Sequence, residues 1–507
     1  MGKAELIEQA KSHYNEAEIS TLEVAINFAT KAHANQKRAS GEKFITHPMA
    51  VANILISWGM DIDSVIAGVM HDVIEDTETE LDQIKELFGN DIAFLVDSVT
   101  KVSKARTGMR DLGDYSQQTK DNLSKLLIAV GQDIRVIIIK LADRLHNLTT
   151  LQYLPKEKQT KIARDSLEIF GPIADRLGMG RVRMEIEELA FKYLDPAEFK
   201  RTQNLMKKRL GKSARRLGVV RSEIEAELKK QGVLVEINGR VKSLYSLYQK
   251  LKKVKDINNV YDLMALRIIV DKKEDCYLVL GVIHSLYKPM INRIKDYIAT
   301  PKPNGYQSLH TTVLTPSEQI VEFQIRTQQM HEFAERGLAA SFHYHEQKSS
   351  KNYTDRNQPT ALPANLQWIT RLQEIASRLK EGKEISKDQL NIDLFQNRIF
   401  VYSPKGDIYN LPENALPLDF AYLVHSDIAN HAYGFRVNNK IHPFDKPLKN
   451  GDIVEVITRQ MSRPKQDWKE LVMTTHAKNK LRSYLRQNDK INTVTKISNI
   501  FIKRSKK

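Results

Sequence analysis

Residue types that ligate metals are scattered through this chain between His47 and Asp143, yet they fall into groups with helical spacing. His47 stands in Ile45-Thr46-His47-Pro48, the run His71-Asp72-Val73-Ile74-Glu75-Asp76 follows, and Asp143 lies in Leu141-Ala142-Asp143-Arg144-Leu145-His146-Asn147. On a helix, residues four apart share a face, so His71 stacks with Glu75 and Asp72 with Asp76. Two imidazoles and two carboxylates suit a hard-to-borderline divalent ion such as Mn²⁺, with positions left for water and a phosphate. Glu75 and Asp76 would then handle protons at the bound water. A lone His-Asp pair on a helix is usually surface decoration, but four separated elements of one chemistry are harder to dismiss.

At 507 residues the chain is too long for a single core and is expected to form about three domains. A hydrophobic content of 41% with 28% charged residues describes an ordinary globular protein. The single Cys276 excludes a disulfide framework and a four-cysteine zinc site, and fits a reducing cytoplasm. Met1-Gly2-Lys3-Ala4-Glu5-Leu6 has no apolar signal core, and no apolar run is long enough to span a bilayer, so a cytoplasmic protein with no membrane role is expected. The net charge of +16 is uneven, because residues 460–507 carry thirteen Lys or Arg against three Asp or Glu. Such a basic tail fits RNA contact and a solvated extension equally well.

Residues 1–195 read as helices, with apolar residues at helical spacing in Leu22–His33, Val65–His71 and Leu126–Val130. A basic, helix-favouring stretch over 196–231 connects to a region of different composition. There Val233–Ile237, Ala265–Val270, Ser308–Leu314 and Val321–Thr327 read as strands with helices between them. Residues 346–390 form a linker with a helix, polar and Pro-containing at first. From about Asn391, short strands with turn signals at Pro404-Lys405-Gly406, Asn438-Asn439 and Asn450-Gly451 make a small β-rich module ending near Thr458.

The middle region carries a second constellation. Side chains alternate along a strand, so Arg240 and Lys242 share a face, as do Arg293 and Lys295. Likewise Glu322, Gln324 and Arg326 line one face while Phe323 and Ile325 look into a core. Asp262 and Glu322 are candidate Mg²⁺ ligands or base, with the cations holding a polyphosphate. Pro301-Lys302-Pro303-Asn304-Gly305-Tyr306-Gln307 is a turn expected to expose an aromatic on which a nucleobase can stack. Each signal is weak alone; their co-occurrence carries the weight.

The runs Arg240–Lys250, Arg293–Ala299, Pro301–Thr311 and Glu322–Thr327 resemble the synthetase motifs of the RelA/SpoT homologues, bacterial enzymes that make and degrade the alarmones ppGpp and pppGpp. In that light the His47–Asp143 set resembles the family's HD-type hydrolase. Leu411-Pro412, Leu418–His425 and Asn450–Thr458 resemble its TGS domain. The implied fold is multidomain α and α+β. Its parts are an all-helical hydrolase domain (1–195), a helical connector (196–231), a mixed-sheet nucleotidyltransferase-like synthetase domain (232–345), the linker (346–390), a small β-grasp TGS domain (391–459) and a basic helical tail (460–507).

The resemblance also implies roles. His47, His71, Asp72 and Asp143 would hold Mn²⁺, with Glu75 and Asp76 acting on the water, while Arg38, Ser40, Asn147 and Thr150 contact the nucleotide. In the synthetase Asp262 and Glu322 match the Mg²⁺ and catalytic acidic positions. Arg240 and Arg267 match arginines near the ATP adenine, and Lys242, Lys250, Arg293 and Lys295 match polyphosphate contacts. Tyr306 matches the tyrosine that stacks on guanine, and Asn304, His310, Gln324 and Arg326 join the nucleotide contacts. ATP, GDP or GTP, and (p)ppGpp are the implied small-molecule partners. The Arg293-Ile294-Lys295-Asp296 form resembles the bifunctional branch.

This chain departs from the family pattern in several places. It has Asn122-Leu123-Ser124-Lys125-Leu126, His146-Asn147-Leu148-Thr149-Thr150, Arg38-Ala39-Ser40-Gly41 and Ala339-Ala340-Ser341-Phe342, where the family more often has further cations or a His-Trp pair. None of these removes a metal ligand. Two alternatives stand beside the bifunctional reading: a hydrolase-dominant member with a weak synthetase, and a non-catalytic RNA- or ribosome-binding regulator. The sequence stops soon after the TGS-like region, ahead of the zinc-finger-like and ACT-type modules of long members. At most weak, salt-sensitive contact with ribosomes or uncharged tRNA is therefore expected, through His425 and the tail.

Overall fold

The helix Arg135–Thr149 organises the amino-terminal half, because it is buried nearly all round. Val136, Ile137, Ile138, Ile139, Leu141, Ala142 and Leu148 are fully buried, each large side chain stabilising by about 1.5–3 kcal/mol. A helix of this kind must be enclosed, and Thr46–Trp58, Ile62–Met70, Leu81–Thr107 and Gly180–Leu194 enclose it. The helices Lys3–Ala10 and Glu16–Ala32 pack outside these. Local signals set the ends. Asn15 and Asp61 accept the N–H groups of Glu18 and Ser64, and Gly59 closes Thr46–Trp58 in the left-handed conformation.

The computed structural model describes residues 2–107, 133–254, 256–257, 260, 263–302, 304–316, 320–339 and 398–486. Asp262, residues 122–126, Ser341-Phe342, the 346–390 linker and the tail beyond Arg486 lie outside the described residues. Two compact units divide the chain, Met1–Glu381 and Gly382–Lys507. Among the described residues no helix is long and apolar enough to cross a membrane.

Within the first unit, Asp195 caps and Pro196 opens the single helix Pro196–Lys230. It is more than a connector. Leu217, Val220, Ile224 and Leu228 on its second half belong to the core of the sheet domain. The sheet comprises β1 (Glu236–Val241), β2 (Met264–Val270), β3 (Lys288–Pro289), β4 (Lys295–Asp296), β5 (Leu309–Leu314) and β6 (Ile320–Thr327). Its order is β1-β2-β6-β5-β3, with β4 on β5; β2 and β6 run parallel and the remaining pairs antiparallel. Ile237, Leu266, Ile268, Phe323, Ile325 and Val313 fill one face, against Cys276, Val279 and Ile283 of the helix Lys273–Leu286.

The second unit has its own sheet, from β7 (Arg398–Tyr402), β8 (Ile408–Pro412), β9 (Ala432–Val437), β10 (Lys440–His442) and β11 (Asp452–Thr458), in the order β10-β9-β11-β7-β8. Asn438 and Asn439 both take positive φ, 52° and 64°, as a two-residue hairpin demands. Tail residues Trp468, Val472, Ala477 and Leu481 pack into this core. The buried Asp419 carboxylate accepts the N–H groups of Met473 and Thr474, so the first part of the tail is folded into the unit.

Two sequence expectations change in detail. His71 and Asp72 sit at a break between the helices Ile62–Met70 and Val73–Asp76, both still in right-handed helical conformation. Arg293 ends a 3₁₀ turn, Ile291–Arg293, so strand alternation does not place it beside Lys295.

Candidate active sites

Helices from three parts of the sequence deliver the first site. His47 comes from the start of Thr46–Trp58, His71 and Asp72 from the helix break, and Asp143 from the middle of Arg135–Thr149. Gly68 permits the approach, since a Cβ there would lie 2.5 Å from Leu55 Cδ1. His47 Nε2 lies 3.3 Å from Asp143 Oδ1 and 3.6 Å from Asp72 Oδ2. His71 Nε2 lies 3.1 Å from Asp72 Oδ1 and 3.9 Å from Asp143 Oδ1. Ligand atoms of His47, His71 and Asp143 fall within 4.8 Å of one another, and Asp72 reaches both histidines.

These residues fit a divalent cation. His71 Nδ1 donates to the Gly68 carbonyl at 2.8 Å, which fixes the tautomer and turns the Nε2 lone pair into the site. That Nε2 is buried and, with Asp72 Oδ1 3.1 Å away, makes no well-aligned hydrogen bond, a place a metal would fill. The electrostatics agree. Burial alone would raise both carboxyls, but the histidines, His71 foremost, hold Asp72 at about 2. Against the same burial, Lys140 and then His47 hold Asp143 well below the carboxylate range. Burial lowers His47, whereas at His71 the adjacent Asp72 outweighs burial and raises it. Asp143 Oδ2 also accepts from the buried Lys140 Nζ at 2.8 Å, and Oδ1 from Asn147.

The candidate nucleotide contacts surround this centre unevenly. Arg38 Nη2 reaches Asn147 Oδ1 at 3.0 Å and Thr150 Oγ1 at 3.5 Å, while its buried Nη1 has no protein partner. Ser40 instead bonds Glu42 in its own turn. Glu75 is half-buried and Asp76 exposed, with the Asp76 carbonyl accepting from Gln36.

The second site is the other face of the β1–β6 sheet. Register places Arg240 opposite Ala265, Glu322 opposite Ala265 and Thr312, and Gln324 opposite Arg267 and His310. A chain of polar contacts crosses it. Arg240 Nη1 donates to Gln324 Oε1 at 2.6 Å, and Gln324 Nε2 to Glu322 Oε1 at 3.2 Å. His310 Nδ1 lies 3.3 Å from Glu322 Oε1, and its Nε2 lies 2.9 Å from the Tyr306 hydroxyl. Arg267 and Arg326 share the Glu335 carboxylate, at 3.0 and 3.3 Å. The Nε atoms of both arginines are buried without a partner, a surplus of cationic donors that suits an anionic ligand. Burial pushes Arg326 down to about 10.

Tyr306 is half-buried rather than exposed, with the Lys302 ammonium 4.9 Å from its ring centre. Asn304 secures that loop by donating to the Asp175 carbonyl at 2.9 Å and accepting the Tyr306 N–H at 3.2 Å. Lys242 follows β1, Lys250 sits half-buried on the helix Leu244–Val254, and Lys295 pairs with His310 across β4 and β5. In the second unit His425 is exposed and caps the helix Ser426–Asn430, its Nδ1 accepting the Asp427 N–H at 3.2 Å.

Sequence reasoning missed Lys140, His146 and Glu335. Lys140 and His146 lie three residues either side of Asp143, so helical spacing could have found them. Glu335 lies on the helix Gln328–Arg336, where strand alternation gives no signal.

Comparison with known proteins places names on these regions. Residues 25–180 match an HD domain, 239–349 a region found in RelA/SpoT proteins, and 399–458 a TGS domain. A GTP pyrophosphokinase of Myxococcus xanthus is 40% identical over 94% of this chain and 62% of its own length. The bifunctional (p)ppGpp synthase/hydrolase SpoT of Escherichia coli is 39% identical over 94% of this chain and 66% of its own. A guanosine-3′,5′-bis(diphosphate) 3′-pyrophosphohydrolase of Aquifex aeolicus is 39% identical over 96% of this chain and 67% of its own. The chain thus spans between three-fifths and two-thirds of these relatives. With three domain matches in order along it and that breadth of identity, it belongs to the RelA/SpoT family.

Proposed function

We propose that this chain both makes and degrades (p)ppGpp. In synthesis the 3′-oxygen of GDP or GTP attacks the β-phosphorus of ATP, a new P–O bond forms, the bond to the α-phosphate oxygen breaks, and AMP leaves. Glu322 takes the hydroxyl proton, with His310 and Gln324 holding the carboxylate in place. Arg240 and Arg267 hold the ATP adenine, Arg326 adds a further nucleotide contact, and Tyr306 stacks on guanine. Mg²⁺ is the expected ion there, with Asp262 and Glu322 as its ligands, and Lys242, Lys250, Arg293 and Lys295 as further phosphate contacts.

In hydrolysis, His47, His71, Asp72 and Asp143 would hold Mn²⁺. When bound, the ion supplies Lewis-acid activation of water and charge neutralisation at the 3′-pyrophosphate. Glu75 and Asp76 handle the water's proton, and Arg38, Asn147 and Thr150 orient the nucleotide. Water replaces the 3′-oxygen at phosphorus, returning GDP or GTP and pyrophosphate. The exposed His425 supports at most weak RNA contact beside these activities.

One observation carries the reading: a buried two-histidine, two-carboxylate cluster and a cation-rich sheet face with a carboxylate occur in one unit of one chain. Nucleotide chromatography tests it. Purified protein with ATP, GDP and Mg²⁺ is expected to yield AMP and ppGpp, and with ppGpp and Mn²⁺ to yield GDP. Absence of either product removes that half of the proposal.

A further inference from the structure

We infer that His146 is a positioning residue for His47, and that its imidazole sets the affinity of the buried site for a divalent cation. The inference rests on the hydrolase reading of that site. His47 turns Nε2 toward Asp143 and Asp72, and turns Nδ1 toward His146 Nδ1 at 2.8 Å. Two ring nitrogens at that distance require one donor and one acceptor. For His47 Nε2 to offer a lone pair to a cation, the neutral ring carries its proton on Nδ1, so His146 accepts and keeps its own proton on Nε2.

The two ligand histidines therefore have different supports. His71 leans on the Gly68 backbone carbonyl, which no substitution removes. His47 leans on a side chain. His146 also sits three residues after Asp143 on the helix Arg135–Thr149, so one helix face delivers both a ligand carboxylate and the support for the opposing ligand. The tilt of 39° between the His47 and His146 rings, with centres 4.9 Å apart, shows contact through ring nitrogens rather than stacking. A neutral support adds no charge to a site that already holds two carboxylates.

If His146 only filled space, an apolar residue of similar size would serve as well. The test uses the full chain, stripped by chelation and titrated with Mn²⁺ alone, following free Mn²⁺ by electron paramagnetic resonance. His146→Leu removes the acceptor and is expected to weaken Mn²⁺ binding about 10–100-fold. His146→Asn keeps an oxygen near the Nδ1 position and is expected to stay close to wild type. Circular dichroism and thermal melting check folding, and if the Leu variant does not fold, His146→Ala takes its place in the comparison with Asn. Equal Mn²⁺ affinity in wild type and the acceptor-free variant overturns the inference, as does an Asn variant as weak as that one. Failure of the wild type itself to bind Mn²⁺ overturns the hydrolase site together with the inference.

Discussion

In the helical domain, the metal-ligating groups come from elements far apart in sequence and are mostly buried. In the sheet domain, Arg240, Arg267, Glu322 and Gln324 stand on neighbouring strands aligned by register, and Glu335 reaches the face from the helix that follows. His47, His71 and Asp143 are all buried, and their neighbours His146, Gly68, Lys140 and Asn147 hold them in place. The β1–β6 face is cationic, built from Arg240, Arg267 and Arg326 around Glu322 and Glu335. A point-like ion suits the first arrangement, because coordination needs a few atoms at short, fixed distances. An extended polyphosphate suits the second, because its charge is spread over many oxygens. The contrast predicts that the helical site fails abruptly when a ligand is lost, whereas the sheet face degrades in steps.

The largest expected effect is at Asp72. Asp72→Ala removes a ligand that touches both histidines, and ppGpp breakdown in saturating Mn²⁺ should fall to background, while AMP formation from ATP and GDP is unchanged. Retained breakdown would break the comparison at its stronger end. Tyr306→Ala should be milder, weakening guanine-nucleotide binding by about 1–3 kcal/mol through lost stacking, as measured by calorimetry with GDP. Normal GDP affinity in that variant would remove the stacking role. The smallest effect concerns pH. His71 has its pKa raised above the ordinary value in the metal-free site, and its proton must leave before Nε2 can bind a cation. Apparent Mn²⁺ affinity should therefore fall as pH drops through that raised pKa, by up to about tenfold per unit, and strengthen as pH rises. GDP binding to the sheet face should change less, since arginine donors keep their charge across that range. Equal pH dependence at both sites would contradict the distinction.

Much of this was legible in the sequence because the two periodicities are simple. The alternation of Glu322, Gln324 and Arg326 with Phe323 and Ile325 gave the face directly, and Phe323 and Ile325 are fully buried. The spacing around His71 placed the metal-ligating residues on helical turns, although the helix breaks at His71 itself, where Thr100 Oγ1 donates to the buried His71 carbonyl. What could not be read were contacts between elements. Nothing local says that Glu335 turns back onto Arg267 and Arg326, or that Lys302 covers Tyr306. Arg293 failed for the opposite reason, since a 3₁₀ turn interrupts the strand on which its alternation depended. The tail misled by charge. Its lysines and arginines hide an apolar set, Trp468, Val472, Ala477 and Leu481, that packs beneath Asp419.

The central claim is that one chain carries two separable chemistries. The direct measurement assays wild type, His71→Ala and Glu322→Gln in both reactions, synthesis with Mg²⁺ and breakdown with Mn²⁺, by nucleotide chromatography. The account predicts a crossed result. His71→Ala loses ppGpp breakdown and keeps synthesis, while Glu322→Gln loses about 10²–10⁴-fold in AMP formation and keeps breakdown. A single substitution that abolishes both reactions in a folded protein, or leaves its own reaction intact, would contradict it.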